Sequence, residues 1–520
     1  MRALITTLGV LAIGGTLEAQ TRLWREDERV IIADFTVVQA LAASDALLFV
    51  ASAHGLGVYD HRFRRWAAPV TAAEGYPREP VLAALADPAD DAVWLGTATG
   101  ALRYRPIFRQ FESVLVPGGV RDFLYDRDDP FRGLYLRTST GWQFLARGAF
   151  GPMPAPLPPP ERRVATLRVE DVLARAPVVD AMQGSLLLDE RLRRFRYTSA
   201  AAVATTEEYF LGTNGLGVVH VDPLVARFET LPFGLLATGV GAVVAADDGV
   251  WVGSDDPGRR AGLTFVSDDL QRYAYVEGPR ATGFGATAVR ALLARGRDLW
   301  AATDRGIALV KPNGDVLRLD TGSGLPDRQS LALAAGPSGV WIGTARGLAF
   351  VPSDSLRARM PAGLAAPVLA LAARGDTVWV GSTVGLGLAV PGDDVFVAPG
   401  GDTLPELREP IVALALVGDT LVAAVQDRLL WRAGAGPWHV ERRLSGELGM
   451  LTALATDTGG VWVGGDRGLG RFGLAAREFH VWPSPGDVPG PVRGIAATAR
   501  HVWVATAEGL VRFTREALVP

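Results

Sequence analysis

The apolar residues of this chain fall into short runs that repeat. Val250-Trp251-Val252-Gly253-Ser254, Leu299-Trp300-Ala301-Ala302-Thr303, Val340-Trp341-Ile342-Gly343-Thr344, Val378-Trp379-Val380-Gly381-Ser382, Val461-Trp462-Val463-Gly464-Gly465 and Val502-Trp503-Val504-Ala505-Thr506 are copies of one unit. Val93-Trp94-Leu95-Gly96-Thr97 is the same unit near the start, and weaker copies put Phe49, Tyr135, Phe210 and Val422 in the tryptophan's place. Runs apolar at nearly every position are strands buried on both faces. From Trp251 to Trp503 there are 252 residues in six steps, counting Val422 as one, so the period is 42. A period of about 40 to 45 residues is one four-stranded propeller blade.

One unit shows the four strands. Val368 to Ala372 reads as the inner strand, Thr377 to Ser382 as the second, Leu386 to Val390 as the third and Asp394 to Ala398 as the outer one. Tryptophan supplies bulk for the wedge between facing blades. Turns such as Thr303-Asp304-Arg305-Gly306-Ile307, Thr344-Ala345-Arg346-Gly347-Leu348 and Gly465-Asp466-Arg467-Gly468-Leu469 join the second strand to the third. Their glycine is read as the residue that takes positive φ to close the hairpin. No helix follows it, so it is not a phosphate cradle.

The fold class is therefore all-β, a β-propeller, and the count points to two propellers built from 11–12 four-stranded blades. Seven units in register, centred on residues 251, 300, 341, 379, 422, 462 and 503, predict one ring over 236–520. Units at 49, 94, 135 and 210 predict a second over 20–235 with worn blades. The interval between the last two holds a proline-rich stretch, Pro152 to Pro160, and Leu186-Leu187-Leu188-Asp189, together a candidate degenerate blade. Eleven or twelve blades exceed the four to eight of one ring. After Phe513 only seven residues remain, so residues 22–34, with Trp24 and Val30-Ile31-Ile32, are expected to supply the last outer strand. An alternative is that the C-terminal end returns to complete the first ring.

Composition narrows the class. With 48% apolar and 21% charged residues the chain is globular, and a net charge of −4 gives no reason to expect nucleic acid. Residues 1–19 resemble a secretory signal peptide: Met1-Arg2, an apolar run from Ala3 to Gly15, then Thr16-Leu17-Glu18-Ala19 before the cut. The expected location is periplasmic or secreted, at the cell surface, with no membrane insertion after cleavage. The absence of cysteine excludes disulfides, thiol nucleophiles and thiolate metal sites.

Ser323-Gly324-Leu325-Pro326, leading through Leu331-Ala332-Leu333 to Val340-Trp341-Ile342-Gly343-Thr344-Ala345-Arg346-Gly347-Leu348, resembles the two-component regulator propeller repeat. Gly75-Tyr76-Pro77 before the Trp94 unit is a looser copy. That repeat builds the extracytoplasmic ligand-binding sensor regions of bacterial hybrid histidine kinases. The resemblance implies a sensor role, here in a stand-alone member, since no kinase segment follows the repeats.

Chemistry must then come from loops. His54, His61, His220, His439, His480 and His501 are scattered without metal-ligand spacing, and the aspartate clusters lack a calcium-loop pattern. No catalytic motif, metal site or cofactor is predicted. Arg305, Arg346 and Arg467 in the turns, with Arg290 and Arg493 beside inner strands, are the candidate ligand-binding residues. In a ring they form a positive collar for an anionic glycan or carboxylate, because guanidinium offers a planar fork to such groups. The plainer alternative is surface arginine in a chain whose only lysine is Lys311. The expected function is non-catalytic binding, sensing or scaffolding, with a glycan, small molecule or cell-envelope protein as partner. The alternative is a propeller-fold polysaccharide or lactone lyase or hydrolase.

Overall fold

The computed structural model describes residues 24–175 and 195–518, apart from 204, 226, 256–261, 278–287, 362, 393–403 and 442–443. The leader at 1–19, the segment 186–189 and the outer strand expected at 394–398 lie outside the described residues.

Eleven antiparallel sheets are present among the described residues: eight of four strands, two of three and one of five. All eleven repeat centres, from Phe49 to Trp503, fall in the second strand of their own sheet. We number the sheets as blades 1 to 11 and their strands a to d from the ring's centre outward. The a strands of blades 5 to 11 are Val240–Ala246, Val289–Arg295, Ser330–Gly336, Val368–Arg374, Ile411–Val417, Leu451–Asp457 and Val492–Ala497. Each packs against the next, and the last returns to the first, which closes a seven-blade propeller.

The a strands of blades 1 to 4 are Val38–Ala43, Ala83–Ala86, Asp122–Asp126 and Tyr197–Val203. Blade 1 packs on blade 2, blade 2 on blade 3 and blade 4 back on blade 1. Blade 3 carries an extra strand, Arg163–Ala165, on the channel edge of its strand a, and Met153–Pro154 is its short outer strand. The proline-rich stretch thus finishes blade 3. Helix Val169–Arg175 follows and buries Val172 against Leu211 and Val219 of blade 4.

Ring closure in blade 11 uses both ends of the chain. Arg29–Ile32 is its outer strand, antiparallel to Gly509–Thr514 with Ile31 opposite Val511. Trp24 meets Phe513 edge-on at 5.1 Å and donates its indole N–H to Asp487 at 2.7 Å. Pairing the terminal strands removes an exposed sheet edge. Blades 7 and 8 have three strands each among the described residues. In blade 7 a single bridge, Phe350 with Arg359 at 2.8 Å in both directions, stands where a fourth strand would run. Pro352 and Pro361 on either side of it lack the N–H that a longer ladder needs.

The repeat's tryptophan, threonine and glycine each have a packing role. Trp341, Trp462 and Trp503 are fully buried between blades. Thr344 Oγ1 donates to the Gly347 carbonyl at 2.9 Å, and Thr303, Ser382 and Thr506 make the same bond to Gly306, Gly385 and Gly509. The hydroxyl therefore ties off the turn from beneath, out of water. Gly347 has φ of 122°, and a Cβ there would stand 2.4 Å from the Leu364 carbonyl oxygen, so both conformation and space require glycine.

Ion-pair latches hold neighbouring blades. Buried Asp457 at the end of strand a in blade 10 accepts from Arg471 of its own strand c at 2.6 Å and faces Arg515 of blade 11 at 2.7 Å. Asp87 in blade 2 repeats the plan with Arg103 at 3.0 Å and Arg147 of blade 3 at 2.7 Å. In both, burial raises the carboxyl pKa and the hydrogen bonds more than offset it. Each therefore stays below the ordinary value.

Candidate functional site

The seven a strands of the larger ring share one irregularity. In each, the register with strand b shifts after the first residue, leaving the second residue bulged out of the ladder. A bulge re-aims its side chain. At this position Thr452 turns to the next blade and donates to the Val492 carbonyl at 2.6 Å. The bulged residues thus stand together at the end of the ring where strands a begin.

Arg290 and Arg493 occupy this position in blades 6 and 11. Blade 5 lies between them and supplies Asp255, directly after its strand b. Arg290 Nη1 is 2.7 Å from Asp255 Oδ1, and Arg493 forms an ion pair with the other oxygen of the same carboxylate. Asp255 is largely buried, whereas the two guanidiniums keep 48% and 38% of their side-chain surface, so they remain reachable from solvent.

The other three arginines do not join them. Arg305, Arg346 and Arg467 sit on the b–c turns of blades 6, 7 and 10, exposed, each on its own turn. Arg346 faces Asp327 at 3.4 Å, and the Arg305 carbonyl accepts from Arg318 at 3.0 Å. Of the five, the structure brings together two, and the carboxylate that joins them escaped the sequence reading. The signal was present: Ser254-Asp255, Thr303-Asp304 and Gly465-Asp466 each put an acid after strand b.

The channel of the smaller ring holds a cavity of about 490 Å³. Its walls are the alanines of four inner strands, among them Ala42, Ala84, Ala165 and Ala201. Polar groups stand at one end. Asp91 accepts from Ser44 Oγ at 3.4 Å, Asp90 is held by Arg103 at 2.6 Å, and Asp45 is exposed. Tyr125 joins them, its hydroxyl raised by burial, with Arg127 opposing and Asp45 adding to the effect. No histidine or lysine lines this cavity among the described residues. His220, in blade 4, is stacked on Phe210 at 4.8 Å and faces Glu208 at 3.3 Å and Glu229 at 3.5 Å inside the blade wall.

No family model matches the chain, and no curated protein does. Solved structures share its architecture. PorZ of Porphyromonas gingivalis, described as an essential bacterial surface component of the type-IX secretion system, is 9% identical, with 94% of this chain and 87% of that one covered and a TM-score of 0.54. The extracellular domain of BT3049 from B. thetaiotaomicron, assigned to a hybrid two component system, is 15% identical at a TM-score of 0.46. That match covers 91% of this chain, which spans 61% of that structure's length. Virginiamycin B lyase from Staphylococcus aureus is 14% identical over 53% of this chain and 95% of its own, at a TM-score of 0.45. At such identities the likeness shows the fold alone. No described helix is long and apolar enough to cross a membrane.

Proposed function

We propose that this chain is a non-catalytic, extracytoplasmic binding or sensor propeller, delivered by the leader at 1–19, that takes an anionic ligand at the rim of its seven-blade ring. The ligand is a glycan, small molecule or cell-envelope protein segment that presents a carboxylate. The observation that carries this reading is the convergence of Arg290 and Arg493 on Asp255. Two guanidiniums against one carboxylate leave a positive charge with unused N–H donors, and arginine binds carboxylates through paired N–H groups. Arg305, Arg346 and Arg467 extend the positive face outward on the same side of the ring. The repeat's resemblance to sensor propellers supports the binding role. We take residues 20–235 and 236–520 as its two domains, with Arg29–Ile32 crossing from the first segment to the second ring.

Polysaccharide or lactone cleavage needs an acid–base pair beside a substrate channel. In the smaller channel Asp90 is tied to Arg103 and Asp91 accepts from Ser44, so these carboxylates are engaged by the protein's own groups. That favours binding over turnover.

The test is calorimetric titration with oligogalacturonate against a neutral oligosaccharide of equal length. Binding of the anion alone is expected, with Arg290→Ala plus Arg493→Ala weakening it by about tenfold or more, since a hydrogen bond to a charged group contributes roughly 1.5–3 kcal/mol. Equal affinity in the double variant overturns the site. Export is checked by N-terminal sequencing of the secreted protein, which should begin near Gln20.

A further inference from the structure

We infer that the rim of the seven-blade ring is bipolar and selects a carboxylate carried on an aliphatic body. This rests on the reading of the arginine pair given above. The shared bulge places one residue of each blade at the rim. In ring order from blade 5 these are Gly241, Arg290, Leu331, Leu369, Val412, Thr452 and Arg493. Among these seven residues the only charged ones are Arg493 and Arg290, in blades 11 and 6, which flank Asp255 of blade 5. Blades 7, 8 and 9 carry three aliphatic residues in succession.

In a ring of seven, blade 5 stands opposite the join between blades 8 and 9. Asp255 and its two arginines therefore lie on the side of the ring opposite blades 8 and 9, which carry Leu369 and Val412. These two and Leu331 are half-buried, whereas the residues before and after each of them in the strand are buried. They belong to none of the hydrophobic clusters of buried residues that hold the described blades together, apart from Val412, which lies at the margin of one. Elsewhere the same register position is polar and used by the fold. In the smaller ring Gln39 accepts from the Val81 N–H at 2.9 Å and Thr198 donates to the Val38 carbonyl at 2.7 Å.

Leucine and valine offer no hydrogen bond to a sugar hydroxyl, and a hydroxyl pressed against them loses its water partners. A methylene chain placed there gains from leaving water. A ligand that satisfies both arcs has an anionic head for the arginines and an apolar body reaching across the axis. Its carboxylate shares the guanidiniums with Asp255, so the protein's own acid competes with the ligand.

Titration with hexanoate, acetate and oligogalacturonate tests this on the whole chain. Hexanoate is expected to bind about tenfold or more tightly than acetate, and Leu369→Asn to remove that advantage without changing acetate affinity. Leu331→Asn provides the same readout from a second blade should the first variant unfold. Asp255→Asn is expected to tighten hexanoate binding by removing the competing carboxylate. Hexanoate binding no tighter than acetate, or an advantage that survives both asparagine variants, overturns the inference. If oligogalacturonate binds through the arginines while hexanoate does not, the inference falls and the anion site stands; if no anion responds to loss of the arginines, both fall.

Discussion

The side-chain amide of Gln271 brackets the main chain of Trp66, donating to its carbonyl at 2.9 Å and accepting from its N–H at 3.2 Å. Gln271 lies in the c–d turn of blade 5, and Trp66 ends the outer strand of blade 1, so one carboxamide acts as a strand partner across the two rings. The Trp66 ring stacks on Phe233 at 4.0 Å, and Phe233 also meets Phe35 at 4.7 Å and Tyr273 at 5.4 Å. These residues belong to one continuous cluster drawn from both propellers.

The rings should therefore unfold together. Trp66→Ala removes a buried aromatic at the junction and is expected to cost about 3–5 kcal/mol. Gln271→Ala leaves two main-chain groups without their partner, at roughly 0.5–1.5 kcal/mol for each hydrogen bond. In chemical denaturation a single transition is expected for the parent chain and two for Trp66→Ala. A single transition in that variant would show that the rings are coupled without Trp66.

Blade 11 depends on residues that lie at the other end of the chain. Ile31 is buried against Val504, Val511 and Phe513. Ile31→Asp places a charge in that core without a partner and should unseat the outer strand, with Ile31→Val as the mild control at about 0.5–1.5 kcal/mol. Limited proteolysis should then cut first near 29–32 and 509–514. Protection equal to the parent's would mean that the blade closes without its N-terminal strand.

The architecture was legible because the same packing problem is solved eleven times. Tryptophan between blades and glycine at the b–c turn recur at a fixed interval, so a period of 42 and the strand order inside one unit follow from the letters. Contacts that occur once, or that depend on register, leave no such trace. The threonine of the repeat reads as a strand former, and its hydrogen bond to the turn glycine becomes visible only when the hairpin is folded. The inner-strand bulge has no compositional mark, although it decides that Arg290, Leu331 and Arg493 share a rim. The ion pairs of Asp255 have no mark in the letters, because its two arginines come from the blades on either side. The repeat places Arg305, Arg346 and Arg467 in turns, and a turn's position in the repeat does not say which others lie beside it.

The turn itself yields a graded prediction. Thr344→Val keeps the shape and loses the hydroxyl bond to Gly347, for an expected loss of about 1 kcal/mol. Gly347→Ala is expected to cost more, because it adds the strain of positive φ to a collision with the Leu364 carbonyl. Thermal unfolding of both variants settles the order. An alanine variant as stable as the valine one would mean that the Leu364 segment yields and that the glycine is not needed.

Acid should loosen the ring at its latches. In the folded chain Asp457 is held below its ordinary value of 3.8: burial raises it, and Arg471, the main chain at Thr458 and Arg515 together lower it further than that. A depressed carboxyl contributes stability that is present above the unfolded value and is lost as pH falls from there through the folded value. His501 adds a second, milder limb. Burial lowers it from 6.5, with Arg512 adding and Asp268 opposing, so the unfolded chain takes up its proton first and stability declines as pH drops below 6.5. Unfolding followed from pH 8 to pH 3 is therefore expected to show a shallow decline beginning near pH 6.5 and a steeper one near pH 4. Asp457→Asn should be less stable at neutral pH, since it removes the charge that two arginines face, and should flatten the acid limb. His501→Gln should abolish the shallow decline and leave the steep one. An acid limb of unchanged slope in Asp457→Asn would place the titrating carboxylates elsewhere, with Asp87 and its arginines Arg103 and Arg147 the next pair to replace.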